Sequence, residues 1–214
     1  MTLKGLKRPW LATVTATVSW GIIVGIGFLA LQLHGASPGE GGKAVELWPD
    51  QSRVPLSSAR PTLVMAAHPR CPCTRATVAE LTRVLTRCAG KVEVYILTLL
   101  PKSAGHGWGP ADGVRGLGAM PGVHLIDDPG GEEAARFGAL TSGLVALYAQ
   151  DGRLLFRGGI TAARGHEGDN RGARGLLGVI QGNPSSFPRE MPVFGCPLFP
   201  DRSNRAGSLM PWKK

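Results

Sequence analysis

An α/β domain with a central mixed sheet flanked by helices, preceded by one transmembrane helix, is the fold class this sequence predicts. Three observations predict it. The stretch from Leu11 to Leu33, LATVTATVSWGIIVGIGFLALQL, carries no formal charge. Residues 62–67 and 92–99 read as strands on either side of a helical pattern. Two further apolar runs, 144–149 and 153–157, are separated only by Gln150, Asp151 and Gly152.

A helix rises about 1.5 Å per residue, so the Leu11 to Leu33 run exceeds the roughly 30 Å hydrocarbon core of a bilayer. A cleaved secretory signal has an apolar core of only about 7 to 15 residues. Leu29, Leu31 and Leu33 carry this one further, although Ala30 and Ala36 leave cleavage open as the alternative. Lys4, Lys7 and Arg8 precede the span, while Lys43 and Arg53 after it are accompanied by Glu40, Glu46 and Asp50. The positive-inside tendency then keeps the amino terminus cytoplasmic. The expectation is a single-pass protein of the bacterial inner membrane, its carboxy-terminal domain in the periplasm or on the outer face, where cysteine pairs persist.

The predicted organisation is a basic flank (1–10), the anchor (11–33), a tether rich in Gly, Pro and Ser (34–60), one domain (61–182) and a tail (183–214). The chain has 24 Lys and Arg against 15 Asp and Glu, a net charge of +9, and 6 % aromatic residues. The basic residues are scattered among glycines and acids without interleaved stacking rings, which argues against nucleic acid and for a basic surface facing lipid or a protein partner.

The domain elements follow in order. Residues 62–67 form a first strand and 92–99, VEVYILTL, a more β-branched one. Between them Val78, Leu81, Leu85 and Cys88, with Val84 alongside, recur at intervals of three and four, one face of a helix of roughly 16 residues that ends at Gly90. Strand, helix and strand make a βαβ unit. A loop follows, then a strand at 123–126, a short helix at 131–137, the antiparallel hairpin with Asp-Gly at its turn, and a last helix over 170–181.

Cys71 and Cys73 fall where the first strand gives way to the helix, with Pro72 at the first helical position. Cys71 would cap the helix, where unpaired amides and the dipole favour a thiolate. Cys73, in the first turn, would attack a sulfur bound to Cys71, release a partner and leave a short, easily reduced disulfide. His68 and Arg75 flank the pair as candidate sources of positive charge. Cys88 lies on the apolar helix face and reads either as an inert core thiol or as one half of a bridge; Cys196, in a tail without pattern, pairs with Cys88 or resolves Cys71.

The order of His68-Pro69-x-Cys71-Pro72-Cys73-x-Arg75-Ala76, Gly158-Gly159-Ile160-Thr161 with Arg164-Gly165-His166-Glu167-Gly168-Asp169-Asn170, and Val193-Phe194-Gly195-Cys196-Pro197 resembles the thioredoxin-like superfamily, in particular the membrane-anchored bacterial redoxins of the RedB-like group. The resemblance covers about residues 60 to 198 and implies a thioredoxin-like fold and thiol exchange with a protein partner. It departs from ordinary thioredoxins in having one residue between the cysteines and Thr141-Ser142-Gly143 where a cis-proline faces them, which implies a narrower partner.

Soft-metal chemistry competes for the same residues. Cys71, Cys73 and His68, with Met65, His106 or Cys196, would suit Cu(I); a reductase that prepares cysteines on a metal-binding partner, or a non-catalytic scaffold, are further alternatives. Zinc is disfavoured because no two ligand pairs have its usual spacing. His166 joins the candidate site as a wall of the groove beside Cys71, although Asp169 or Asn170 capping the last helix explains that loop as well. The Gly105–Gly109 loop with Trp108 is a candidate partner contact. No glycine cluster has a nucleotide-binding spacing, and no cofactor is expected.

Overall fold

The computed structural model describes residues 9–88, 90–101, 109, 112–183 and 188–199. Lys4, Lys7 and Arg8, the loop from Gly105 to Trp108 with His106, and the tail beyond residue 199 lie outside the described residues.

The chain forms two units, divided after Ser37. The first contains α1 (Pro9–Ala36), a helix of 28 residues. Its stretch Trp10–Ala36, with a mean hydropathy of 2.0 over 18 of its residues, is long and apolar enough to cross a membrane. Thr15 and Thr17 turn their hydroxyls onto carbonyls one turn back, so these polar groups are satisfied within the helix.

The second unit is an α/β domain. Its strands are β1 (Thr62–Ala67), β2 (Glu93–Leu100), β3 (Val123–Pro129), β4 (Val145–Tyr148) and β5 (Leu154–Gly158); its helices are α2 (Pro72–Arg87), α3 (Asp112–Gly118), α4 (Glu132–Arg136) and α5 (Arg171–Ile180). The five strands form one sheet in the order β3-β2-β1-β4-β5. β1 runs parallel to β2, and β2 to β3; β4 is antiparallel to both β1 and β5. This is the mixed, thioredoxin-like sheet expected, with β1 at its centre. Alternate residues of β1 enter opposite cores. Leu63, Met65 and Ala67 pack with Val78, Leu81 and Leu85 of α2 and Leu176 of α5, while Val64 and Ala66 pack with Phe137 and Tyr148. A strand buried on both faces explains why residues 62–67 read as a continuous apolar run.

Two expectations change. The stretch read wholly as a loop before β3 contains α3, whose Val114 and Leu117 are buried. Three glycines in seven residues, DGVRGLG, hide it from a propensity reading. The stretch read as a tether is part of the compact unit from Pro38 onward. The Trp48 amide donates to the Gly152 carbonyl, the Tyr148 hydroxyl to the Val45 carbonyl, and the Trp48 ring packs edge-on against Phe137 and Tyr148.

Candidate functional site

β1 delivers the chain to the site. After Ala67 a turn closes from the Cys71 amide to the His68 carbonyl (3.1 Å), which also accepts the Thr74 hydroxyl (3.0 Å). Cys71 caps α2 with extended backbone (φ −86°, ψ 118°) and Pro72 follows at the start of the helix. Pro has no amide hydrogen to leave unpaired there.

The turn is fastened to the loop before β4. The Ser142 hydroxyl accepts the His68 amide at 2.9 Å and lies 3.0 Å from the Thr74 hydroxyl. Because the Thr74 proton goes to His68, Ser142 is the donor in that second contact. The Gly143 amide donates to the Ala66 carbonyl at 2.8 Å.

The tail completes the site from the opposite side. The Ser142 amide donates to the Cys196 carbonyl (2.9 Å) and the Leu198 amide to the Leu140 carbonyl (2.8 Å), with Thr141 and Pro197 paired as an antiparallel bridge. A Cβ on Gly195 would stand 1.9 Å from the Ser142 carbonyl oxygen, so only glycine permits this approach. The result sets Cys196 beside Cys71.

The loop of residues 164–170 forms a further wall. Buried Glu80 of α2 accepts the Gly168 amide at 2.7 Å, and Asn170, not Asp169, caps α5 by accepting the Ala173 amide at 2.8 Å. These bonds hold Arg164 over the tail, where its guanidinium donates to the Gly195 carbonyl. Its Nε is buried without an acceptor among the described residues.

The three thiols differ in acidity for identifiable reasons. Burial pushes Cys71 up, but the nearby Cys196 thiol and the amides of Cys196, Cys73 and Thr74 favour its thiolate form and bring the net shift below the ordinary thiol value. Cys73 moves the other way, because of its burial and then the charge and thiol of Cys71, against the opposing Arg164 and the Gly165 amide. Cys196 is pushed up to about 12 by burial and by its position as donor to Cys71, with Arg164 opposing. Cys71 is therefore the most acidic thiol of the cluster, and its two neighbours hold their protons more tightly.

Of the residues singled out from sequence, Cys71, Cys73 and Cys196 come together here. His68 adjoins them, but burial and then Arg70 lower its pKa, and its Nδ1 accepts the Arg70 amide at 3.1 Å. Its backbone organises the turn, and its ring is neutral at neutral pH. Arg75 and His166 are exposed; the cation acting on Cys73 and Cys196 is Arg164. Met65 lies within the core under α2. Cys88 is at the far end of α2, a helix of 16 residues and on the order of 25 Å long. A disulfide needs Cα atoms within about 7 Å, so this geometry pairs Cys196 with the opening cysteines and not with Cys88. No group of three or more His, Cys, Asp or Glu is arranged to hold a metal ion among the described residues.

Sequence reasoning missed Arg164 and Ser142 as site residues. The signal for Arg164 was the following Gly165, whose positive φ of 67° turns the chain so that its amide faces Cys73. Ser142 carried none, since its role depends on tail and turn meeting at one loop.

No family model and no curated protein matches the chain. Among solved structures it is similar to an uncharacterized conserved protein from Geobacillus kaustophilus, with a TM-score of 0.55 and 17 % identity over 78 % of this chain and 94 % of the other. A hypothetical protein from Sinorhizobium meliloti is similar with a TM-score of 0.54 and 18 % identity over 76 % of this chain and 93 % of the other. At such identities the likeness is one of fold. The domain is thus a thioredoxin-like α/β domain with a cysteine pair at the start of its first helix, an arrangement consistent with redox activity.

Proposed function

We propose that the protein is a membrane-anchored thiol-disulfide oxidoreductase that acts on a protein partner, with the domain on the periplasmic or outer face of a bacterial inner membrane. The observation supporting this reading is the geometry at the start of α2, with Cys71 at its N-cap and Cys73 in its first turn, where the surroundings favour ionisation of Cys71 and disfavour that of Cys73. A nucleophile must ionise and a resolving thiol must keep its proton until it is needed.

The Cys71 thiolate attacks one sulfur of a disulfide and expels the other as a thiolate, giving a mixed disulfide on Cys71. Cys73 then loses its proton, attacks the Cys71 sulfur and expels the second thiolate. The products are a Cys71–Cys73 disulfide and a dithiol, with two electrons passed to the partner; the reverse path oxidises a dithiol.

The test is equilibration of the purified full-length protein in graded thiol buffers without metal. A two-electron Cys71–Cys73 transition at a potential above the roughly −300 mV typical of structural disulfides is expected. The Cu(I) alternative at Cys71, Cys73 and His68 is separated by titration against a competing chelator. Tight one-to-one copper binding that is lost in His68→Ala, with no exchange toward any dithiol, would overturn the oxidoreductase.

A further inference from the structure

We infer that Cys196 is the entry sulfur of this site: a protein disulfide meets Cys196 first, and Cys196 hands the exchange inward to the Cys71–Cys73 pair. The inference rests on the oxidoreductase reading and adds where a macromolecular partner makes contact.

Access is the first argument. Cys71 and Cys73 are only 5 % and 7 % exposed, whereas Cys196 is partly exposed. The segment carrying Cys196 lies along Leu140–Ser142, the loop that Ser142 ties to the turn bearing the buried cysteines.

Anchoring is the second argument, because a loosely held tail would simply leave. On one side the Met191 amide donates to the Arg157 carbonyl and the Arg157 amide to the Arg189 carbonyl, both at 2.9 Å. The Gly39 amide donates to the Val193 carbonyl at 2.8 Å, and Leu198 is tied to Leu140 beyond the cysteine. Val193, Phe194 and Leu198 are buried. Arg164 adds a bond at Gly195, and the missing Cβ of Gly195 lets the backbones touch. Cys196 is fixed between anchors on both sides, near enough to Cys71 that each thiol shifts the acidity of the other.

The chemistry follows from that contact. Cys196 attacks one sulfur of the partner disulfide as its proton passes to the Cys71 thiolate; a Cys196–partner disulfide forms and one partner thiolate leaves. Cys71 returns that proton to the departing thiolate, attacks the Cys196 sulfur and expels the second partner thiolate, forming a Cys71–Cys196 disulfide. Cys73 then gives up its proton, attacks Cys71 and expels Cys196, which regains a proton. The sum is a Cys71–Cys73 disulfide, a free Cys196 thiol and a partner dithiol, with two electrons transferred. The proton-sharing of Cys71 and Cys196 lets the otherwise weakly acidic Cys196 begin the sequence.

The test uses the full-length protein in detergent and two probes: a cysteine peptide activated as its thionitrobenzoate disulfide, and the same peptide carrying a long polyethylene glycol chain. In Cys196→Ser the small probe still reacts, while the rate with the polymer probe relative to the small one falls by about tenfold or more. In Cys73→Ser the product is a Cys71–Cys196 disulfide, mapped by peptide mass spectrometry. A Cys196→Ser protein whose polymer-to-small rate ratio equals that of the wild type overturns the relay, as does a Cys73→Ser protein that forms no Cys71–Cys196 disulfide. In either case a Cys71–Cys73 transition in thiol buffers that survives in Cys196→Ser leaves the oxidoreductase standing. Loss of that transition in the wild type as well removes both.

Discussion

Cys71 and Cys88 stand at the two ends of α2, one as its N-cap and the other as its C-cap, and both are buried, at 5 % and 2 % exposed. Burial pushes both thiols up, yet the net shifts are opposite: Cys71 is lowered and Cys88 raised. At the N-terminal end, nearby amides and the Cys196 thiol favour a thiolate. At the C-terminal end the free groups are carbonyls, and the Cys88 sulfur donates to the Val84 carbonyl at 3.1 Å, a contact that needs the proton in place. The opposite shifts of these two thiols follow the end of the helix each occupies, not its depth.

The largest expected effect breaks the comparison outright. Cys71→Ala should lower the rate of exchange with a small activated disulfide by about 100-fold or more, whereas Cys88→Ala should leave that rate within about twofold. The stabilities should divide the other way. Cys88 belongs to the core between α2 and the sheet, so Cys88→Ala should cost about 1 kcal/mol of unfolding free energy in a denaturant titration. A Cys88→Ala protein that loses exchange would mean that the reactive end of α2 has been misassigned.

A smaller effect appears in pH dependence. Alkylation follows the thiolate fraction, so it rises with pH and levels off above the pKa of the folded thiol. For the reduced protein the midpoint of the Cys71 profile should lie below that of an ordinary thiol, and the midpoint of the Cys88 profile above it. At neutral pH Cys71 should label ahead of Cys73, Cys88 and Cys196. Replacing Cys196 with Ala removes a donor from the thiolate and should move the Cys71 midpoint upward. Gly195→Ala should do the same without touching any sulfur, because the new Cβ collides with the Ser142 carbonyl and lifts Cys196 away. An unchanged Cys71 midpoint in both variants would sever the tail from the tuning of the site.

The two ends of α2 were unequally legible in the sequence. The helix, its opening proline and the cap position of Cys71 follow from spacing and local stereochemistry over a few residues, and so does the apolar face that holds Cys88. What the sequence did not reveal was placed by contacts across long separations. Cys196 reaches Cys71 through pairing with Leu140–Ser142, and residues 38–54 pack on the domain through Trp48, Gly39 and Glu46, in a stretch whose composition resembles a spacer. Gly39 and Gly42, which suggest flexibility by composition, are places where a Cβ would strike Thr141 or the Gly138 carbonyl. Arg75 drew notice as a charged neighbour of the cysteines and His166 as a wall of the groove, but both are exposed and neither puts its charge on the thiols. Arg164 does so because Glu80 holds its loop against α2.

The smallest effect concerns the cation at each end of the helix. Arg164 acts on Cys73 as Lys91 acts on Cys88, each favouring the thiolate against burial. At Cys88 there is no thiolate chemistry for Lys91 to assist, so Lys91→Gln should leave exchange unchanged. At Cys73 the resolving step passes through its thiolate, and Arg164 is the neighbour that stabilises it. Arg164→Gln should therefore slow conversion of a Cys71 mixed disulfide into the Cys71–Cys73 disulfide by about three- to tenfold. The initial attack by Cys71 depends mainly on amides and Cys196 and should change less. Rapid-quench trapping of glutathione mixed disulfides resolves the two steps: the mixed disulfide should accumulate in Arg164→Gln and not in Arg75→Gln or His166→Gln. Arg164→Lys keeps the charge but not the planar fork that reaches the Gly195 carbonyl, so recovery of rate there would assign the effect to charge. If Arg164→Lys is as slow as Arg164→Gln, the guanidinium acts by holding the tail, and the contrast between the two ends of α2 would then rest on backbone donors and Cys196 alone.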